Sequence, residues 1–140
     1  MFLLGVMLTS WTTKSTSTWR LTVEILGVAQ SQGDLLVALF AEGSASGFPE
    51  NTKMIYAYKL ANPKIPNTVI QFDALPAGRY AYSVLHDFNG NQFTDKNLVG
   101  YPKEPYAFSN NVRPWYKAPA FDECAFELKS DTRHRVTLLN

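Results

Sequence analysis

Asp87, Asn89, Asn91 and Asp95 stand at offsets one, three, five and nine of a short run, and Phe93 offers a backbone carbonyl at seven. Alternate residues of a curled loop face its interior, so this spacing aims oxygen donors at a single Ca2+, which takes about six to eight of them. The run departs from an EF-hand at two points. Leu98 occupies the place of the bidentate Glu, and Gly90 falls at position four rather than six. With two carboxylates the site is weak unless Glu104 folds back to join it. The same residue types also form Asx turns, in which Asp and Asn oxygens accept hydrogen bonds from nearby backbone while glycine relieves a tight bend. We favour the self-bonded turn. Ca2+ is the possible cation for this loop, and no cofactor is required.

His86 lies beside Asp87, and with Glu104 and Ser109 it supplies the parts of a small hydrolase. Neighbouring strand residues point to opposite faces, which places His86 and Asp87 badly for a mutual hydrogen bond. No G-x-S-x-G elbow frames Ser109. Paired acids for glycoside hydrolysis can be drawn from Asp87, Asp95, Glu104, Asp122 and Glu123, yet nothing in the sequence fixes their separation. A satisfied histidine at the end of a core strand is the favoured reading. The single cysteine, Cys124, excludes an intrachain disulfide and a Cys-based zinc cluster, and its strand-like setting in CAFEL marks it as a small core residue.

A third kind of chemistry is contact. Tyr101, Tyr106, Phe108, Trp115, Tyr116 and Phe121 crowd one segment, stiffened by Pro102, Pro105, Pro114 and Pro119. Such rings anchor a long loop to the domain, or offer large contact area at low entropic cost. Tyr101, Lys103, Glu104, Tyr106, Phe108 and Trp115 are the residues expected to form a binding surface. This yields the leading functional expectation, a non-enzymatic binding or accessory module whose contact surface is the polar-aromatic loop over residues 86–111. A hydrolase using His86 is the alternative, and a calcium-stabilised structural domain is a third.

The elements that must position these residues read as strands. Trp19, Leu21, Val23 and Ile25 alternate with polar neighbours, and LLVALFA is apolar on both sides. TKMIYAYKL, TVIQFDAL, RYAYSVLHD, CAFEL and RVTLLN continue the series, with turn signals between them. About seven short strands without a helical period predict an all-β fold, a single antiparallel β-sandwich. A short helix or helical turn is expected within residues 93–120. Tyr80, Tyr82, Val84 and His86 share one face of the RYAYSVLHD strand, which delivers Asp87 to the rim where the loop begins.

The chain of 140 residues accommodates one domain over residues 19–140, with 46% hydrophobic and 18% charged residues, composition typical of a globular protein. A formal charge of +1 gives no general attraction to nucleic acid or to anionic lipid. Lys129, Arg133, His134 and Arg135 gather near the C-terminus, interrupted by Asp131, as charges on a solvated edge strand do. Residues 1–18 form a leader. MFLLGVMLTSW matches a signal-peptide apolar region in length and is too short to span a bilayer, although no basic residue precedes it and no A-x-A site follows. Export to the periplasm or exterior is the expectation, with an envelope protein or small ligand as partner.

One stretch resembles a known family. Gly78, Tyr80, Ala81, His86, Asp87, Asn89 and Asn91, then Gly100, Pro102, Glu104, Tyr106, Phe108 and Ser109, then Pro119, Phe121, Ala125 and Phe126 are similar in order and spacing to the signature of the DUF2141 family of uncharacterised bacterial proteins. The resemblance runs through nearly all of the chain after Trp19. It implies a small exported protein with an immunoglobulin-like or transthyretin-like Greek-key sandwich. It assigns no activity.

Overall fold

The computed structural model describes residues 5–7, 16–92 and 102–140. The chain is an all-β sandwich of two facing sheets. In the smaller sheet β1 (Thr18–Leu26) lies between β4 (Asn67–Pro76) and β8 (Thr132–Thr137). In the larger sheet the order is β3 (Ala57–Ala61), β2 (Asp34–Ala41), β5 (Gly78–Asp87) and β6 (Tyr106–Phe108), with β7 (Phe126–Leu128) also paired to β5. The period-two pattern explains the layering. Leu21, Val23 and Ile25 of β1 meet Leu35, Val37 and Leu39 of β2 and Tyr82 and Val84 of β5 in one buried core between the sheets.

The two-sided hydrophobicity of LLVALFA has a separate cause. Ala38 and Phe40 point to the outer face of the larger sheet, where a second cluster covers them. That cluster contains Phe48, Phe108, Phe121 and Cys124, brought over the sheet by the segment after β2 and by one turn of helix, α1 (Phe121–Cys124). Phe40 and Phe48 meet edge to face with ring centroids 5.3 Å apart.

Four details differ from the strand reading, one being that Tyr106–Phe108, read as part of the loop, pairs with β5 as a strand. TKMIYAYKL becomes a strand only at Ala57, because Thr52–Met54 forms a 3-10 turn whose Asn51 side chain accepts from the Lys53 backbone N–H. CAFEL splits, Cys124 ending α1 and Phe126 opening β7. Among the described pairings β1–β8 alone is parallel, with Leu21 beside Thr132 and Leu26 beside Thr137. The chain leaves β7 beside Gly78, at the pole of the sandwich where β1 begins. It turns there into the other sheet and so enters β8 running the same way as β1. Asp131 fixes the turn, its Oδ1 accepting from the Arg20 backbone N–H at 2.8 Å. Arg133 and Arg135 lie on an edge strand as expected and both reach Glu24, whereas His134 between them turns inward to the Tyr82 hydroxyl.

Candidate functional site

β5 carries the residues singled out for chemistry, and its alternation puts His86 on the inner face and Asp87 on the outer one. Both are buried. His86 Nε2 lies 2.8 Å from the Gln32 carbonyl oxygen, a pure acceptor, so this nitrogen bears the proton and donates. The His86 backbone N–H donates to the Pro105 carbonyl at 2.8 Å, and the imidazole meets the Phe88 ring edge to face at 4.5 Å. His86 thereby ties the turn before β2 to the end of β5. Gly33 makes that approach possible. Its φ is +72°, and a Cβ there would lie 2.8 Å from the Phe88 Cα.

Asp87 organises the chain that follows it. Its Oδ1 accepts from the Gly90 N–H at 3.0 Å and its Oδ2 from the Gln92 N–H at 2.6 Å. Asn89 repeats the motif, its Oδ1 accepting from the Asn91 N–H at 3.1 Å. Gly90 and Gln92 take positive φ, which lets the backbone curl around the carboxylate. Glu104, also buried, comes alongside and accepts from the Phe88 N–H at 3.3 Å through Oε1. Asp87, Asn89 and Asn91 are thus brought into one compact turn, while Phe93 and Asp95 lie outside the described residues. Among the described residues no three His, Cys, Asp or Glu side chains converge as a metal cluster.

Ser109 is held apart from His86. It is fully buried, donating from Oγ to the Cys124 carbonyl at 2.6 Å and accepting from the Tyr82 N–H at 3.0 Å. Tyr82 precedes His86 by four residues on β5, about 13 Å at the rise of an extended strand. The serine joins β5 to the end of α1 and has no histidine in reach to activate it. Cys124 is equally enclosed, and burial pushes its thiol up to about 12, which keeps it protonated.

The aromatic residues divide into two sets. Phe108 and Phe121 pack edge to face on Phe48, each at 6.1 Å, and the Arg79 guanidinium lies over Phe121 while it pairs with Asp122 at 2.9 Å and Glu42 at 3.3 Å. These rings are loop anchors. Trp115 and Tyr116 are instead 84% and 67% exposed, in T-shaped contact at 5.4 Å, with the Lys117 ammonium 5.6 Å from the Tyr116 ring centroid. Of the six residues expected to form a contact surface, Lys103 and Trp115 are exposed and Tyr106 is half-buried. Glu104 and Phe108 turn inward, drawn by the Phe88 N–H and by the Phe48 ring, and Tyr101 lies outside the described residues. In this segment the exposed rings fall just beyond the 86–111 loop, while Tyr56 and Tyr58 are exposed elsewhere. Arg113, Tyr116 and Lys117 belong to this segment's exposed surface and were signalled in the sequence by RPWYKAP, two rings flanked by cations between prolines.

A family model described as an uncharacterized protein conserved in bacteria (DUF2141) matches residues 23–136, from within β1 to within β8. No curated protein matches the chain, and no solved structure does. Among the described residues no helix is long and apolar enough to cross a membrane.

Proposed function

We propose, for a chain that belongs to the DUF2141 family, the role of a non-enzymatic binding or accessory module exported to the periplasm or the cell exterior. The observation that carries this reading is the exposure of Trp115 and Tyr116, side by side, while Phe108 and Phe121 of the same segment are packed inward. Two adjacent solvated rings lose apolar hydration on contact, and Trp and Tyr are the residues on which binding energy concentrates. The disposition of the polar groups supports the same reading. His86 donates to a backbone carbonyl, Ser109 joins β5 to α1, and Cys124 is enclosed, so none of the three is poised as a nucleophile or a base. Export rests on the apolar leader at the start of the chain.

The test pairs a binding assay with an activity assay. Immobilised wild type and a Trp115→Ala, Tyr116→Ala variant are exposed to bacterial envelope extract, and bound material is compared. Loss of a specific component with the variant, at unchanged circular dichroism, is the expected result. Turnover of ester, phosphoester or glycoside probes by wild type but not by His86→Ala would overturn the non-enzymatic reading.

A further inference from the structure

The segment from Arg113 to Lys117 combines three properties on one short exposed turn. Its rings stand 85° apart, so they form a wedge rather than two parallel plates. Cations bracket them, Arg113 two residues before Trp115 and Lys117 directly after Tyr116, and both are exposed. No carboxylate occurs in the sequence from Pro105 to Phe121, and Asp122, the next one, is taken by Arg79. Among the described residues neither Arg113 nor Lys117 has a carboxylate partner. The whole chain carries a formal charge of only +1, so this positive potential is local.

We infer that this turn docks the domain on the surface of an anionic lipid bilayer. Trp and Tyr settle at the headgroup level, where the ring body meets hydrocarbon and the polar tip remains wet. Lys and Arg beside them meet lipid phosphates and release their stems along the apolar boundary. The wedge geometry favours entry between headgroups. A flat sugar ring stacks on a broad aromatic platform, which two perpendicular rings do not supply. The inference rests on the binding-module reading and gives its surface a chemical partner.

Full-length wild type is sedimented with vesicles of phosphatidylcholine alone and of phosphatidylcholine with phosphatidylglycerol. It binds the anionic vesicles, and binding weakens as salt rises. Two variants follow, Trp115→Ser with Tyr116→Ser, and Arg113→Gln with Lys117→Gln. Each lowers the apparent affinity about tenfold or more, by loss of ring insertion in one and of about two favourable charges in the other. All four positions are solvent-facing, and unchanged melting curves confirm that the variants are folded. Equal binding to both vesicle types overturns the inference. So does anionic binding unaffected by either variant, which would assign the membrane contact to the apolar leader. Ring-dependent binding to a soluble anionic polysaccharide, without vesicle binding, also overturns it and gives the surface to a glycan. If the envelope pull-down succeeds while vesicles fail, the lipid assignment falls and the binding module stands.

Discussion

Asp87 is enclosed by the backbone that follows it, and that enclosure decides what its substitution does. Two N–H groups end on its two oxygens. Asp87→Asn turns an amide toward one of these donors and takes away its charged acceptor, at a cost of about 1–3 kcal/mol, measured as a lower urea midpoint. Because the carboxylate already has its donors, millimolar calcium is expected to leave the wild-type midpoint unchanged. A rise reversed by chelator would instead seat a cation in the turn. Cys124 makes a second test at this scale. With its thiol at about 12 and no exposed surface, it should stay unreactive toward a disulfide reagent at pH 8 until the chain is unfolded. The spacing of Asp and Asn announced a curled turn, and the turn is present. It did not announce Gln32 as the partner of His86, because that contact joins residues far apart in sequence through the pairing of β2 with β5.

β5 is the element on which the molecule is assembled, pairing with β2 along its length, with β6 toward one end and with β7 toward the other. Ser109 fastens it to the segment that closes the second apolar cluster. Ser109→Ala strips the Tyr82 N–H and the Cys124 carbonyl of that partner, and a loss of about 2–4 kcal/mol is expected in equilibrium unfolding. Strands with strict alternation, such as β1, were legible because one face meets core and the other meets water. The run through Met54 and Tyr56 was not, since a 3-10 turn also accommodates rings and apolar residues where Gly47 lets Met54 close in. Cys124 was legible as a buried residue but not as the end of a helix. A single turn is too short to show a helical period.

Across the whole molecule, stability should follow pH in two steps. His134 on β8 reaches from the smaller sheet to the larger, its Nδ1 3.2 Å from the Tyr82 hydroxyl and its ring edge to face with Phe126 at 4.5 Å. Burial lowers its pKa in the fold, so the unfolded chain takes up the proton more readily. The contribution of the neutral ring is complete above about pH 6.5 and is lost as pH falls below that value toward the folded pKa. Glu24, held down by hydrogen bonds from Arg133 and Arg135, and Asp73, held down by Arg20, act lower. Their stabilisation is present above the ordinary carboxylate range and is lost as pH falls through their depressed values. Urea midpoints from pH 8 to pH 3 should therefore decline twice. His134→Gln is expected to flatten the upper decline and high salt the lower, since the lower one rests on solvated ion pairs. The parallel pairing of β1 with β8 has a mechanical consequence. The strands run side by side in one direction, so the chain enters the sandwich at one pole with Thr18 and leaves near the other after Thr137. Force applied between those two points slides the strands past each other, loading the bonds from Leu21 to Leu26 together instead of peeling them singly. A domain strung this way between a tether and a load gives as a rivet line rather than as a zip.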